Sequence, residues 1–184
     1  TAVPQRSLCM IALAIATLAT PAFGAAATRP DPLEFRELYE ELVETNTTLS
    51  SGSCTEAAEK MASRLRSAGF PEADIHLVVE PDHPREGSLV AVLRAPRNKA
   101  GALLLLAHLD VVEARREDWA RDPFELVEED GYFYARGAAD DKAMAAIWVD
   151  SLIRLHREKF RPKRDIKVAL TCGEETIEAF DGVQ

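Results

Sequence analysis

A histidine and an aspartate follow the most apolar segment of the chain. The run "LLLLAHLDVV" begins at Leu103, and it carries His108 and Asp110 where its apolar character ends. Alternate residues of a strand project from the same face, so we expect both side chains on one side of the chain. Imidazole and carboxylate groups bind divalent metal ions or transfer protons, but a single histidine more often has only a structural hydrogen bond. The pair therefore predicts a functional site only if further ligands lie nearby.

Two acidic clusters later in the sequence supply such ligands. The segment "ARGAADDKA" places Asp140 between a glycine-containing loop and the start of a helix, and "TCGEET" places Glu174 and Glu175 directly after an apolar run. An aspartate at a helix start is by itself a common N-cap. Neighbouring carboxylates at the end of a buried strand, however, repel each other and need either water or a cation. One nitrogen and several oxygens together predict a site for zinc or a similar divalent ion.

Hydrophobic periodicity indicates the helices and strands that position these residues. Helical patterns occur over 32–45, 54–67 and 141–160, and strand patterns over 74–80, 88–95, 102–112 and 165–175. The second helix has a capping pattern at Ser53 and Glu56, and Asp130-Gly131 predicts a hairpin turn. The run from Leu103 has almost no alternation, which favours a strand covered on both faces. These patterns predict one α/β domain, or a piece of one, with the acids and the histidine at one edge of its sheet.

The N-terminal segment is typical of a secretory signal peptide. Arg6 precedes the apolar run "LCMIALAIATLAT", and Pro21 and the small residues "AFGAAA" follow it. The apolar run is too short to span a membrane, and cleavage is expected after Gly24 or Ala27. We therefore predict that residues 1–27 are a signal peptide, that the protein is exported to the periplasm or secreted, and that no stable membrane insertion remains after cleavage.

The composition and charge limit the kinds of binding partner that we expect. The chain has 184 residues, of which 47% are hydrophobic and 29% charged, and its formal net charge is −9. Its basic residues are scattered, so no positive stripe is available for a phosphate backbone, and nucleic acid is excluded as an expected partner. Cys54 and Cys172 are treated as packing residues, and a disulfide between them is the alternative in an oxidising compartment.

Three motifs carry a resemblance to a known family. The segments "LLLLAHLDVV", "DWARDPFELVEEDGYFYARGAADDKA" and "TCGEET" resemble the zinc carboxypeptidase, aminoacylase and succinyl-diaminopimelate desuccinylase family. Members of this family cleave amide bonds with two cocatalytic metal ions. The resemblance implies a three-layer α/β/α catalytic domain, of which residues 28–184 are the N-terminal portion, truncated at the C-terminus.

The resemblance also implies a role for each site residue. His108 would bind one metal ion, Glu175 would bind the other, and Asp140 would bridge both. Glu174 would be the general base that removes a proton from water, and Asp110 would orient the imidazole of His108. The implied cofactor is Zn²⁺, two ions in the intact enzyme, with Co²⁺ or Mn²⁺ as substitutes. A cis peptide bond after Asp140 is implied as well.

The sequence departs from the family pattern in two places. Many relatives have proline where this chain has Glu113, which leaves the ligands intact but alters the loop. The family also takes a further acidic ligand and a histidine from beyond the position of Gln184. Each ion would then have only two protein ligands from this chain, fewer than the three usual in catalytic zinc sites. We therefore expect the chain as given to be inactive by itself.

The predicted function is that of an exported zinc-dependent hydrolase of amide bonds. Its substrate would be a small peptide or an N-acyl amino acid, and the sequence does not distinguish between these two, nor does it indicate an oligomeric state. A second hypothesis is a non-catalytic binding protein that kept the scaffold and lost the chemistry. Loss of Asp140 or Glu174 would indicate that second class, and both residues are present.

Overall fold

The computed structural model describes residues 32–97, 100–176 and 179. The predicted signal peptide, residues 1–27, therefore lies outside the described residues. In the described part, three helices pack on a mixed four-stranded sheet, and a short hairpin forms a second sheet. The predicted α/β class is confirmed by this arrangement.

The three helices are α1 (Pro32–Glu44), α2 (Cys54–Ser67) and α3 (Lys142–Arg157). The bounds of α2 agree with the prediction, and Ser53 accepts a hydrogen bond from the backbone N–H of Glu56, as the capping pattern predicts. Each helix buries one apolar face in a single core that also contains residues of the sheet. Among the described residues, no helix combines the length and the hydropathy needed to span a membrane.

The main sheet has the order β1-β2-β6-β3. Its strands are β1 (Ile75–Val78), β2 (Ser88–Leu93), β3 (Leu103–His108) and β6 (Ile166–Thr171). β1 and β2 pair antiparallel, as do β2 and β6, whereas β3 and β6 pair parallel. In the parallel pair, His108 lies opposite Thr171. The segments that follow β3 and β6, which carry most of the predicted ligands, therefore leave the sheet side by side.

The prediction that β3 is covered on both faces is wrong for the described residues. Leu104 and Leu106 are about half exposed, and only the carboxyl end of the strand, Ala107 and His108, is buried. β3 lies at one end of the strand order, and the helices contribute to the core from one face of the sheet. A continuous apolar run indicates that a strand is hydrophobic, but the position of the strand in the sheet depends on tertiary contacts.

The predicted hairpin is confirmed. β4 (Val127–Glu129) and β5 (Tyr132–Tyr134) pair antiparallel around Asp130-Gly131. Both turn residues have positive φ angles, 52° and 80°, as a tight hairpin turn with this dipeptide requires.

A disulfide joins Cys54 to Cys172, so the alternative that the sequence left open is the one observed. Both cysteines are buried, and 118 residues of sequence separate them. The bond connects the first residue of α2 to the residue that follows β6, only two positions before Glu174. It therefore ties the segment that carries the acidic pair to the helical layer.

We predict that this disulfide makes a large contribution to stability. A cross-link over so long a loop stabilises a fold by about 3–5 kcal/mol, chiefly by restricting the unfolded chain. In the complete protein, Cys54→Ala with Cys172→Ala should lower the free energy of unfolding by that amount in urea titrations. Dithiothreitol should lower the stability of the wild type to that of the double variant and leave the variant unchanged. Equal midpoints for the oxidised wild type and the variant would contradict the prediction.

Candidate metal centre

His108 ends β3 with its ring held between two acidic residues. Its Nδ1 lies 3.1 Å from the backbone oxygen of Asp110 and 3.5 Å from Oδ1 of the same residue. Its Nε2 points the other way, 3.1 Å from Oδ1 of Asp140 and 3.7 Å from Oε2 of Glu174. The side chain is buried. Asp110 thus fixes the ring orientation, and Nε2 is directed toward the remaining acids.

Asp140 reaches the centre from the loop before α3 and not from a strand of the main sheet, as its position between a glycine-containing segment and a helix start predicts. The loop, residues 137–142, connects the hairpin to α3. Gly137 has a φ of 75°, and a Cβ there would lie 2.6 Å from Cγ1 of Val111, so the loop needs glycine at this close approach. The peptide bond from Asp140 to Asp141 is cis, as the resemblance implies, and Oδ2 of Asp141 accepts a hydrogen bond from the backbone N–H of His108.

The acidic pair is positioned by Asp110. Oδ2 of Asp110 accepts a hydrogen bond of 2.9 Å from the backbone N–H of Glu175, which fixes the segment after β6 against the segment after β3. Glu175 is partly buried, whereas Glu174 is exposed over 65% of its side chain. One ligand atom from each of His108, Glu174 and Glu175 lies within 4.8 Å of the others. All five residues predicted from the sequence therefore lie at one edge of the sheet.

The electrostatics of the cluster favour a bound cation. Interaction with the Asp110 carboxylate, supported by Asp140, raises the pKa of His108 to about 9 against the opposing effect of burial. Burial alone would raise the pKa of Asp110, but the interaction with His108 and the hydrogen bond from the Glu175 backbone lower it. Burial and the negative charge of Asp140 raise the pKa of Glu175. Protonated His108 thus offsets part of the carboxylate repulsion, and a divalent ion would offset more.

The donor set fits a divalent metal ion. Nε2 of His108 and the carboxylates of Asp140 and Glu175 provide nitrogen and oxygen donors of the types that zinc accepts, and the carboxylate of Glu174 lies beside them. The carboxylate of Asp110 beside Nδ1 is the usual partner of a metal-binding histidine, because it fixes the tautomer and the ring orientation. The group formed by Cys54, Asp110 and Cys172 is not a second candidate, since its thiols form the disulfide.

A cavity of about 690 Å³ adjoins this cluster. It contacts Asp110 and Glu175, together with the disulfide and the loop around Ser50, but His108, Asp140 and Glu174 do not line it. Within the described residues, the cavity therefore borders the residues that position the centre and not the exposed carboxylates of Asp140 and Glu174.

The sequence patterns did not reveal the buried residues that hold the ligand-bearing segments in position. The side chain of Lys142 is completely buried, and its Nζ donates to the backbone oxygen of Thr45. A signal was present, because Lys142 begins the helical stripe that continues with the buried Ala145, Ala146 and Val149. Burial lowers the pKa of Lys142 to about 7, and the charge of Lys60 contributes to this shift.

Glu113, the departure from the family pattern, has a structural role. Its carboxylate accepts hydrogen bonds from both the backbone N–H and the hydroxyl of Ser50, at 2.9 and 2.8 Å. These bonds connect the segment after β3 to the loop between α1 and α2. The substitution therefore replaces a rigid proline with a tether, and the ligands remain in place.

We predict that metal binding displaces a proton from His108. In the folded metal-free protein, the pKa of His108 is about 9, above the ordinary 6.5. The bound proton therefore stabilises the folded state fully below about pH 6.5, and this stabilisation is lost as the pH rises through 9. Metal affinity should therefore rise up to about tenfold per pH unit between 6.5 and 9, then level off. Chelator competition with Co²⁺ on the complete protein measures this slope. A pH-independent affinity across that interval would contradict the prediction.

Comparison with known proteins agrees with this geometry. The sequence model of Peptidase family M20/M25/M40 matches residues 104–184. Acetylornithine deacetylase of Pectobacterium carotovorum subsp. carotovorum (strain PC1) is 30% identical over 145 residues, which are 79% of this chain and 37% of that protein. The chain thus spans about a third of the length of the curated relatives that match along most of it.

Solved structures show the same fold. The M20 family metallo-carboxypeptidase Sso-CP2 of Sulfolobus solfataricus superposes with a TM-score of 0.62 at 20% identity, covering 76% of this chain and 30% of that one. The YXEP protein of Bacillus subtilis, described as a dinuclear metal binding peptidase from the M20 family, has a TM-score of 0.53 at 15% identity, covering 77% and 35%. The resemblance of the three motifs is therefore confirmed: residues 104–184 match peptidase family M20/M25/M40, and the chain fits the N-terminal part of proteins of this family.

Proposed function

We propose that the complete protein is an exported, zinc-dependent hydrolase that cleaves amide bonds in small peptides or N-acyl amino acids. The observation that carries the proposal is the convergence of His108, Asp140, Glu174 and Glu175 at the end of the parallel strand pair. Family membership supports the same class of reaction, because relatives include a deacetylase and a metallo-carboxypeptidase.

We assign two zinc ions to the centre. His108 would hold one ion, Glu175 the other, and Asp140 would help to hold both. When bound, the ions supply a lowered pKa for water and polarisation of the scissile carbonyl. The described residues would give each ion two protein ligands, and the proposal includes further donors from the complete protein, since catalytic zinc usually has three.

Glu174 is assigned as the general base. Its carboxylate is largely exposed, and Oε2 lies 3.7 Å from Nε2 of His108, so it borders the space between the ligands. From this position it can accept a proton from the attacking water and later donate it to the leaving amine. Asp110 does not touch the reacting atoms, because it is buried behind the imidazole, and it acts by positioning His108 and Glu175.

The relatives and the exposure of the centre support the proposed substrate class. The side chain of Asp140 is 80% exposed, so the acids are open to solvent and to a small substrate. A deacetylase acts on an acylated amino acid and a carboxypeptidase on a peptide, and both reactions break an amide bond. A binding protein without catalytic activity is the competing function, and the test of Glu174 below separates the two.

Replacement of Glu174 by glutamine tests the proposed base. The amide keeps the shape of the side chain but cannot accept the proton, so kcat in the complete protein should fall by about 10²–10⁴-fold. Zinc content, measured by mass spectrometry, should stay at the wild-type value, whereas His108→Ala should lower it. Undiminished turnover in Glu174→Gln with unchanged zinc would exclude this residue as the base, and absence of turnover in the zinc-loaded wild type on dipeptides and N-acyl amino acids would favour the binding protein.

Export is proposed from the signal pattern of residues 1–27 alone. Expression of the complete protein in a bacterial host should give a periplasmic product whose first residue follows Gly24 or Ala27. N-terminal sequencing of that fraction measures the cleavage site directly. Recovery of the uncleaved chain from the cytoplasm alone would contradict export.

A further inference from the structure

Lys142, the first residue of α3, is hydrogen-bonded to the C-terminal end of α1. Its Nζ donates hydrogen bonds to the backbone oxygens of Thr45, at 2.6 Å, and of Val43, at 3.4 Å. The last carbonyls of a helix have no intrahelical partner and form the negative end of its dipole, so a buried donor is well placed there. Lys142 is completely buried, which means that water cannot replace it as the partner of these carbonyls. The contact therefore anchors one end of the 137–142 loop.

Tyr39 anchors the other end of the same loop. Its hydroxyl donates a hydrogen bond of 2.7 Å to the backbone oxygen of Ala138. Ala138 and Lys142 lie two residues before and two residues after Asp140. Within the loop, the backbone N–H of Lys142 donates to the oxygen of Gly137, so the turn is closed on itself as well. α1 thus holds both sides of the segment that presents the proposed bridging ligand.

The chain that follows α1 holds the segment with the histidine. The hydroxyl of the buried Thr47 donates to the backbone oxygen of Leu109 at 2.7 Å, and the oxygen of Thr47 accepts from the backbone N–H of Val111 at 3.4 Å. Leu109 and Val111 flank Asp110, and Leu109 directly follows His108. We call residues 39–47 the brace, because this one segment contacts both the His108 segment and the 137–142 loop.

We propose that the brace sets the separation of His108 and Asp140, and that Lys142 and Thr47 are positioning residues through which it does so. The inference rests on the proposed metal-dependent function, because a fixed separation matters most when both side chains bind the same ion. A site binds metal tightly only if its ligands are already close to their final positions. Groups that support metal ligands from behind typically change metal affinity by about 10–100-fold when they are lost.

The test compares variants of the complete protein that remove single donors. Lys142→Met keeps the length and apolar body of the side chain, and Thr47→Val keeps its shape. Lys60→Met is the matched control, because Lys60 also donates a hydrogen bond to Thr45, at the hydroxyl of that residue. Its contacts among the described residues, with Thr45 and Glu56, do not include a ligand segment. Leu152→Ala, a core change farther along α3, controls for lost stability alone. The readouts are zinc affinity by chelator competition and hydrogen exchange of amides 138–141 in the metal-free protein.

Lys142→Met should weaken zinc binding by about 10–100-fold, and Thr47→Val by about three- to tenfold. Exchange of amides 138–141 should accelerate in Lys142→Met, whereas Lys60→Met and Leu152→Ala should keep zinc affinity within about twofold of wild type. A folded Lys142→Met with wild-type affinity and exchange would overturn the inference. If Lys142→Met does not fold, Thr47→Val decides, and an unchanged affinity there overturns it. If the wild type binds no zinc, the proposed function is rejected instead. Hydrogen exchange of amides 138–141 then still shows whether the brace holds the 137–142 loop.

Discussion

Repulsion among carboxylates is the constraint on which the rest of this structure depends. Asp140, Glu174 and Glu175 lie around a single imidazole, and their charges disfavour one another at such short range. Without a cation, protonated His108 offsets part of this repulsion. The pKa of His108 is raised chiefly by Asp110, and Asp140 contributes to the shift. A divalent ion relieves the same repulsion with two positive charges. The arrangement is therefore chemically reasonable as a metal centre and unfavourable as a purely structural feature.

The fold opposes this repulsion with contacts from several directions. The parallel pairing of β3 and β6 brings two of the ligand segments side by side, and the buried Asp110 links them through His108 and the backbone of Glu175. The disulfide ties the acidic pair to α2, and the brace holds the other two segments from the side of α1. These supports are buried, whereas the side chains of Asp140 and Glu174 are mostly exposed. Rigid support and accessible ligands are what a hydrolytic centre requires.

Local signals in the sequence predicted much of this arrangement. The bounds of α2, its cap at Ser53 and the Asp130-Gly131 hairpin depend on neighbouring residues, so they follow directly from the sequence. The five predicted site residues come from short and distinctive motifs, and the structure brings them together at one edge of the sheet. The exposure of β3 was not predicted, since hydrophobicity does not reveal which strand lies at an edge.

Contacts over long sequence separations explain the remaining omissions. The bonds from Tyr39 to Ala138 and from Lys142 to Thr45 join residues 99 and 97 positions apart, and the two cysteines are 118 apart. No local pattern specifies such pairs, because they form only when the helices have packed on the sheet. The burial of Lys142 was also missed, although the helical stripe that it begins is a local signal for it.

Anomalous X-ray diffraction at the zinc edge, on crystals of the complete protein grown with Zn²⁺, tests the central claim most directly. The proposed centre predicts two anomalous peaks about 3.5–4 Å apart, one beside Nε2 of His108 and one beside Glu175, with Asp140 between them. Absence of zinc from this edge of the sheet, or zinc bound only at sites that involve none of these residues, would contradict it.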